Sequence, residues 1–372
     1  MNKKILILYI SEYSGHFHAA KALEKALSAA NGRLTIKMVN AIDYTNPILG
    51  KIINKAYLEV IKKKPELWGN IYDNPDVIKK TRGAREALHR FNMSKIKKLI
   101  ESFDPDIVFC TQAFPCGMVA DYKRTSGKNI PLVGILTDHA PHSYWLFDEV
   151  DFYVVPSKKT AEILERKGIG KDKLKAYGIP VDPKFSERHD KEKIFNDLGL
   201  SKDKPIILIM GGSQGLGAIE EVVRSFLQDD KHDYQLIVVS GNNKKLKRKL
   251  SRISKKRTEY IKILPFVDNI DELMEISNII ITKAGGITTA EALAKKLPIL
   301  VVDPIPGHER MNTDYLVDEG AAIEVENYGD VHDIVNILFD SEKLSTIRKN
   351  AEKLSMPASA LNIAEFALGI LK

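Results

Sequence analysis

The sequence predicts an α/β protein built from two doubly wound domains. Three observations predict it. Short, near-continuous apolar runs recur through all 372 residues, as expected of strands buried on both faces of a parallel sheet. Segments with helical apolar spacing alternate with those runs. The whole alternation occurs twice, with a Pro- and charge-rich stretch between the two series, so two layered domains form rather than one.

The elements follow in order. The first half offers strands at Lys4–Ile10, Thr35–Asn40, Ile107–Cys110, Pro131–Thr137 and Phe152–Val155, with helical patterns such as His18–Ser28 and Ser94–Ser102 between them. The seam is expected near Pro180–Pro183 to Lys204–Pro205, where one short helix, Asp190–Leu198, fits. The second half offers strands at Pro205–Met210, Gln235–Ser240, Tyr260–Leu264, Ile279–Thr282, Ile299–Val302 and Ala322–Val325. The expected domains are 1–185 and 186–357. A last helix, Ala358–Leu371, follows Pro357 and can cross back onto the N-terminal domain. One stretch breaks the rhythm. Pro47 to Lys80 places Tyr57, Ile61, Trp68 and Tyr72 on helical spacing among basic residues. An interfacial membrane helix and an ordinary helical insert over the sheet both fit that pattern.

Composition narrows the class. Hydrophobic residues at 44% and charged residues at 28% supply a real core and exclude a disordered chain. No apolar run approaches the roughly 18 residues of a membrane-spanning helix. The opening Met1–Ile10 imitates a signal peptide, but its apolar run is short and Ser11-Glu12-Tyr13 follows where a small-residue cleavage site belongs. Cys110 and Cys116 are the two cysteines, too few for a disulfide framework or a structural zinc site. A cytoplasmic protein with reduced thiols is the expectation. The net charge of +7 is modest, yet it is concentrated in Lys244–Arg257. That run reads as a solvated helix face, or as an anionic-lipid or nucleic-acid patch. No aromatic residue interrupts it, which argues against single-stranded nucleic acid.

Four loops carry chemistry. Gly211-Gly212-Ser213-Gln214-Gly215-Leu216-Gly217 follows a strand and precedes a helix. Its glycines let backbone N–H groups approach an anion, and the helix start adds a positive dipole end. The spacing is not that of a dinucleotide fingerprint. A second loop, Lys283-Ala284-Gly285-Gly286-Ile287-Thr288, also opens a helix, and Glu291 one turn in can accept from ribose hydroxyls or act as a dipole partner. In the third, Gly307-His308-Glu309-Arg310-Met311-Asn312, Glu309 and Asn312 share a helix face and can bind neighbouring sugar hydroxyls. All three lie at C-terminal strand ends, the rim where open α/β sheets bind ligands. Together they describe a nucleotide-diphosphate-sugar pocket. The fourth loop, Ser11 to Ala20, holds Gly15 and His16 at the first helix start, where the dipole keeps an imidazole neutral as a general base requires. A histidine that merely bonds a strand end fits as well. Downstream, Asp138 and His142 can polarise a hydroxyl or orient a base. Trp145 can stack on a sugar or acyl glycerol, or fill a core. The histidines beside Asp138 suggest a metal, but no further ligand cluster supports one. Neither a nucleophile elbow nor a P-loop is present.

These residues in this order resemble the monogalactosyldiacylglycerol synthase and processive diacylglycerol glucosyltransferase group of glycosyltransferase family 28, whose fold is GT-B. The resemblance covers nearly the whole chain. It implies two Rossmann-like domains facing across a cleft, with a helical insert at about 43–93 that touches acceptor and membrane through residues such as Tyr57 and Trp68. It implies His16, in Ser14-Gly15-His16, as catalytic base, and Thr137-Asp138, His142 and Trp145 as a matching family stretch. Phe266-Val267 look like the pair beside uracil, Gly285-Gly286 with Thr288 like the phosphate loop, Glu291 like the ribose ligand, and Pro306 to Asn312 like the sugar-reading motif. Here His308 stands where glutamine is usual and Ala284 where proline is frequent. The implied reaction is inverting transfer of a hexose from a UDP-sugar to a lipid, foremost diacylglycerol, without a metal or other cofactor. The expected partners are the UDP-sugar, diacylglycerol or a related lipid, and an anionic membrane surface at the inner face, with no nucleic acid. Other readings are an N-acetylglucosamine transfer to a polyprenyl-linked acceptor, a sugar-nucleotide epimerase, and a UDP-sugar-binding regulator without turnover.

Overall fold

The computed structural model describes residues 2–12, 14–47, 92–228 and 233–372. Most of the expected insert, with Tyr57 and Trp68, lies outside the described residues. The chain divides into two compact units: 1–183 with 305–308 and 358–372, and 184–304 with 309–357.

The first unit holds a six-stranded sheet in the order β2-β1-β3-β4-β5-β6. Its strands are β1 (Lys3–Tyr9), β2 (Leu34–Asn40), β3 (Ile107–Cys110), β4 (Leu132–Ile135), β5 (Phe152–Val154) and β6 (Leu174–Lys175). Every pairing is parallel, and Ile5 of β1 sits opposite both Ile36 and Ile107. Alternation across the sheet sends Ile5 and Ile7 into one core and Leu6 and Leu8 into another. Each such fully buried aliphatic side chain contributes roughly 1.5–3 kcal/mol. Strand β6 escaped sequence reading because two residues leave no periodicity.

The helix Gly15–Ala30 begins three residues before its apolar pattern. Ser14 supplies the cap, its hydroxyl accepting from the Phe17 N–H at 3.4 Å. The buried face of this helix is rich in small residues, with Ala19, Ala22 and Ala26 among them. The helix Ser359–Ile370 packs against it and shares its core through Ala360, Ile363, Ala364 and Ala367. The Ser359 hydroxyl also accepts from the Val181 N–H at 3.1 Å, which ties the returning chain to the end of the first series.

The second unit holds another six-stranded parallel sheet, ordered β12-β11-β10-β7-β8-β9. The strands are β7 (Ile206–Met210), β8 (Gln235–Val239), β9 (Ile261–Leu264), β10 (Ile279–Thr282), β11 (Ile299–Val302) and β12 (Ala322–Val325). In each sheet the strand order reverses beside the first strand, between β1 and β3 and between β7 and β10. Loops leaving the C-terminal ends at such a reversal diverge and open a crevice. The loops after β1, β7 and β10 are among those the sequence singles out, and the Gly307 loop leaves β11, one strand beyond β10.

Candidate active site

In the first unit the site forms around the turn after β1. Ser11 adopts φ of 61°, and the Ser14 hydroxyl lies 2.7 Å from the Ile10 and Ser11 carbonyls, which locks the turn. Gly15 and His16 therefore open the helix at the reversal point. Two neighbouring strands hold His16. The Thr111 hydroxyl, just past β3, donates to the His16 carbonyl at 2.9 Å. The Thr137 hydroxyl, just past β4, lies 2.9 Å from His16 Nδ1. Burial lowers the His16 pKa, and the Asp138 carboxylate opposes that shift. An imidazole that donates from Nδ1 to Thr137 keeps a lone pair on Nε2, the form a base needs.

Around this pair the remaining expected residues divide. Asp138, expected to polarise a hydroxyl or orient a base, is half-buried and its charge acts on His16, and Thr137 bonds the His16 ring. His139 is buried, and burial pushes its pKa down to about 4. His142 is half-buried, its ring 6.2 Å from that of Trp145 and nearly parallel to it. Trp145 itself is 4% exposed and belongs to the core. Its ring covers Gly134, where an added Cβ would stand 3.3 Å away, and its carbonyl accepts from the Tyr153 hydroxyl at 2.7 Å. An indole so enclosed has no face left for an acceptor, so packing is its role. Among the described residues no group of three His, Cys, Asp or Glu is arranged to hold a metal ion.

In the second unit the two glycine loops leave adjacent strands, β7 and β10. The first loop closes on itself. Gly215 N–H bonds the Gly212 carbonyl at 3.1 Å and Leu216 N–H the Gly211 carbonyl at 3.0 Å. An added Cβ on Gly211 would lie 1.8 Å from the Leu216 carbonyl, and one on Gly215 2.0 Å from that of Ser240. Those two glycines are thus required by close backbone packing. This corrects the reading of Gly215 as an amide open to an anion, because its N–H is spent inside the turn. Gly212 differs: it has φ of 67° and open space beyond, where the nearest atom to an added Cβ is Lys283 Cε at 3.9 Å. The side-chain nitrogen of Gln214 is enclosed and has no hydrogen-bond partner among the described residues.

The second loop leads into the helix Gly286–Ala294, capped by Gly285 without any side-chain bond. Thr288 and Glu291 are half-buried near its start. Phe266, past β9, is 39% exposed, with Val267 half-buried beside it. The third loop turns at Gly307, whose φ of 96° suits glycine, and enters the helix His308–Asp318. Glu309 and Asn312 do share a face, but that face turns inward. Glu309 is 1% exposed and pairs with Lys283; Asn312 is 0% exposed and donates to the Ala284 carbonyl at 3.0 Å. Direct sugar reading by Asn312 is therefore corrected to support of the phosphate-loop backbone, since its amide is committed beneath that loop.

Lys283 is the residue the sequence reading passed over. Its ammonium lies 3.8 Å from an added Cβ at Gly285, its stem passes Gly212, and Glu309 anchors it. Three loops thus converge on one partly exposed cation. The signal was present as a lysine directly after a strand and beside a glycine pair. Asp303, after β11, joins the same rim: the Tyr328 hydroxyl donates to it at 3.1 Å, while burial and the Glu309 and Glu221 charges raise its pKa.

Paired doubly wound domains, one with a histidine at its reversal point and one with anion-suited loops at its own, define the GT-B class. Solved structures of that fold align along the full length: MnaA of S. aureus with UDP (TM-score 0.63, 17% identity, 99% of this chain and 97% of that one) and MurG of Acinetobacter baumannii (0.62, 13%, 99% and 99%). Within the class, residues 16–181 match the monogalactosyldiacylglycerol (MGDG) synthase family and residues 206–370 the glycosyltransferase family 28 C-terminal domain. The processive diacylglycerol beta-glucosyltransferase of Bacillus pumilus is 32% identical over 98% of this chain and 94% of its own. That of Bacillus subtilis is 31% identical with the same coverage. The chain belongs to this group of family 28 and is a glycosyltransferase.

Proposed function

We propose that the protein transfers glucose from UDP-glucose to the free hydroxyl of diacylglycerol, with inversion at the anomeric carbon. The observation that carries the reading is His16: a buried imidazole held through Nδ1 by Thr137, in a chain that matches diacylglycerol glucosyltransferases along its length. His16 takes the proton of the acceptor hydroxyl as that oxygen bonds the anomeric carbon. The bond from that carbon to the UDP β-phosphate oxygen breaks, and UDP leaves with the electron pair. Asp138 favours the imidazolium that forms, since its charge already pulls the His16 pKa upward.

On the donor side Lys283 and the N-terminus of the helix Gly286–Ala294 face the charge that grows on the leaving diphosphate. The enclosed Gln214 nitrogen supplies a donor that a phosphate or sugar oxygen satisfies. Phe266 offers a ring to the uracil and Glu291 a carboxylate to the ribose. Ser213, Gly286 and Thr288 line the diphosphate, and Gly307 and His308 the sugar. This reading assigns leaving-group stabilisation to backbone dipoles and Lys283, so turnover should persist in excess EDTA. The acceptor is a bilayer lipid, and no described helix is long and apolar enough to cross a membrane. The reading therefore includes peripheral attachment at the inner membrane face.

The test is incubation with UDP-glucose, UDP-galactose and UDP-N-acetylglucosamine in turn, with diacylglycerol in neutral detergent micelles, followed by mass spectrometry of the lipids. Glucosyl-diacylglycerol from UDP-glucose is expected. Its absence, under conditions where the protein binds UDP, would overturn the substrate assignment.

A further inference from the structure

Between residues 244 and 257 the chain carries nine Lys or Arg residues and no Asp or Glu. The helix Lys244–Ile253 sorts them physically. Leu246, Leu250 and Ile253 recur at i, i+4 and i+7 and pack into the core of the second unit. Lys245, Arg248, Arg252 and Lys256 are left exposed. Among the described residues few of the nine charges meet a partner. Lys249 pairs with Glu220, and the Arg257 guanidinium donates to the Leu227 carbonyl. Among the described residues Lys245, Arg248, Arg252 and Lys256 have no carboxylate in salt-bridge range. Arg252, Lys255, Lys256 and Arg257 also rim a hollow floored by Leu227 and Ile253.

We propose that this face of the C-terminal unit docks on an anionic lipid bilayer. The inference rests on the reading above only in supplying the reason for a bilayer, namely that the acceptor lies in one. Charge complementarity carries it. A dense single-sign face repels itself and is worth keeping where a surface of opposite charge receives it. The apolar side chains of the helix are committed to the core, so attachment is electrostatic and shallow rather than by insertion. Nucleic acid fits less well, because no aromatic ring interleaves the run to stack on bases. The unit that holds the donor loops would thereby rest on the surface that supplies the acceptor, independently of any membrane contact by residues near Trp68.

The experiment uses the full chain and its R248Q/R252Q/K255Q/K256Q variant, four exposed positions that leave untouched the start of the helix, where the Asn243 amide donates to the Gly215 carbonyl. Each is sedimented with vesicles of phosphatidylcholine containing about 30 mol % phosphatidylglycerol, and with pure phosphatidylcholine vesicles. The parent should bind the anionic vesicles at about 0.1 M salt and release them at about 0.5 M. The variant should bind them roughly a hundredfold more weakly, at about fivefold per charge with some redundancy. Both proteins should glucosylate diacylglycerol equally in neutral micelles. Equal sedimentation of parent and variant would overturn the proposal. So would parent binding to duplex or single-stranded oligonucleotides that exceeds vesicle binding at the same salt. Loss of micellar activity in both proteins would instead sink the substrate assignment, while the sedimentation result still decides the surface.

Discussion

The two units use the same parallel sheet and the same reversal point for opposite electrostatic tasks. At β1 the helix start is occupied by an imidazole whose neighbours are hydroxyls, Thr111 and Thr137, and whose surroundings suppress positive charge. At β10 the helix start is left bare by Gly285, and positive charge is imported on Lys283 and fixed by a buried carboxylate. A helix N-terminus disfavours a nearby cation and favours an anion. In the proposed function the first of these fields acts beside burial to keep a base neutral, and the second receives a diphosphate. The difference lies in which side chains fill the loop rather than in the sheet.

The largest effect is expected at His16. His16→Ala should lower kcat by about a hundred- to ten-thousandfold, while UDP binding measured by calorimetry stays near that of the parent. Equal losses of turnover and UDP affinity would show that the first unit does not confine itself to acid–base work. Next in size is Lys283→Met. Loss of a charge-assisted contact to the leaving group is worth about 1.5–3 kcal/mol, or roughly ten- to hundredfold in kcat/KM. Because the single change strands Glu309 in a buried position, Lys283→Met/Glu309→Gln is the matched control for folding. If the double variant regains full kcat/KM, Lys283 serves only to neutralise Glu309.

What the sequence made legible follows from the same physics. Ile279–Thr282 and Ile299–Val302 are readable to the residue because both faces of each strand are buried and the apolar run ends where burial ends. The apolar pattern of the first helix begins only at His18, since the turn that opens the helix is fixed by the Ser14 hydroxyl and contains no apolar repeat. Glycine at 211 and 215 could mean anion approach or backbone crowding, and only the positions of the Leu216 and Ser240 carbonyls decide for crowding. Helical spacing put Glu309 and Asn312 on one face, yet could not say that the Lys283–Ala284 loop lies against that face. Thr137 shows no role in its local sequence. Its bond to His16 spans 121 residues, and what brings them together is adjacency of strand ends, which no local pattern encodes.

Smaller effects are expected around His16. Thr137→Val removes one neutral hydrogen bond, worth about 0.5–1.5 kcal/mol, so kcat should fall by up to about tenfold with KM for UDP-glucose unchanged. Thr137→Ser should restore most of that loss, which a purely packing role for the threonine methyl would not allow.

The finest probe is Asp138→Asn, read as a pH profile. The base is active when neutral, and burial places the folded His16 pKa below the ordinary imidazole value. Activity of the parent is therefore present above that folded value and lost as pH falls through it. Asp138 pulls the value upward, so its removal should shift the acidic limb to lower pH. The same change withdraws support from the imidazolium formed in the transition state, so the plateau kcat should drop modestly. A shift to lower pH together with a reduced plateau identifies Asp138 as a charge acting on the base. A reduced plateau with an unmoved limb would mean that Asp138 contacts the acceptor instead, and the division of labour drawn here between Thr137 and Asp138 would have to be reversed.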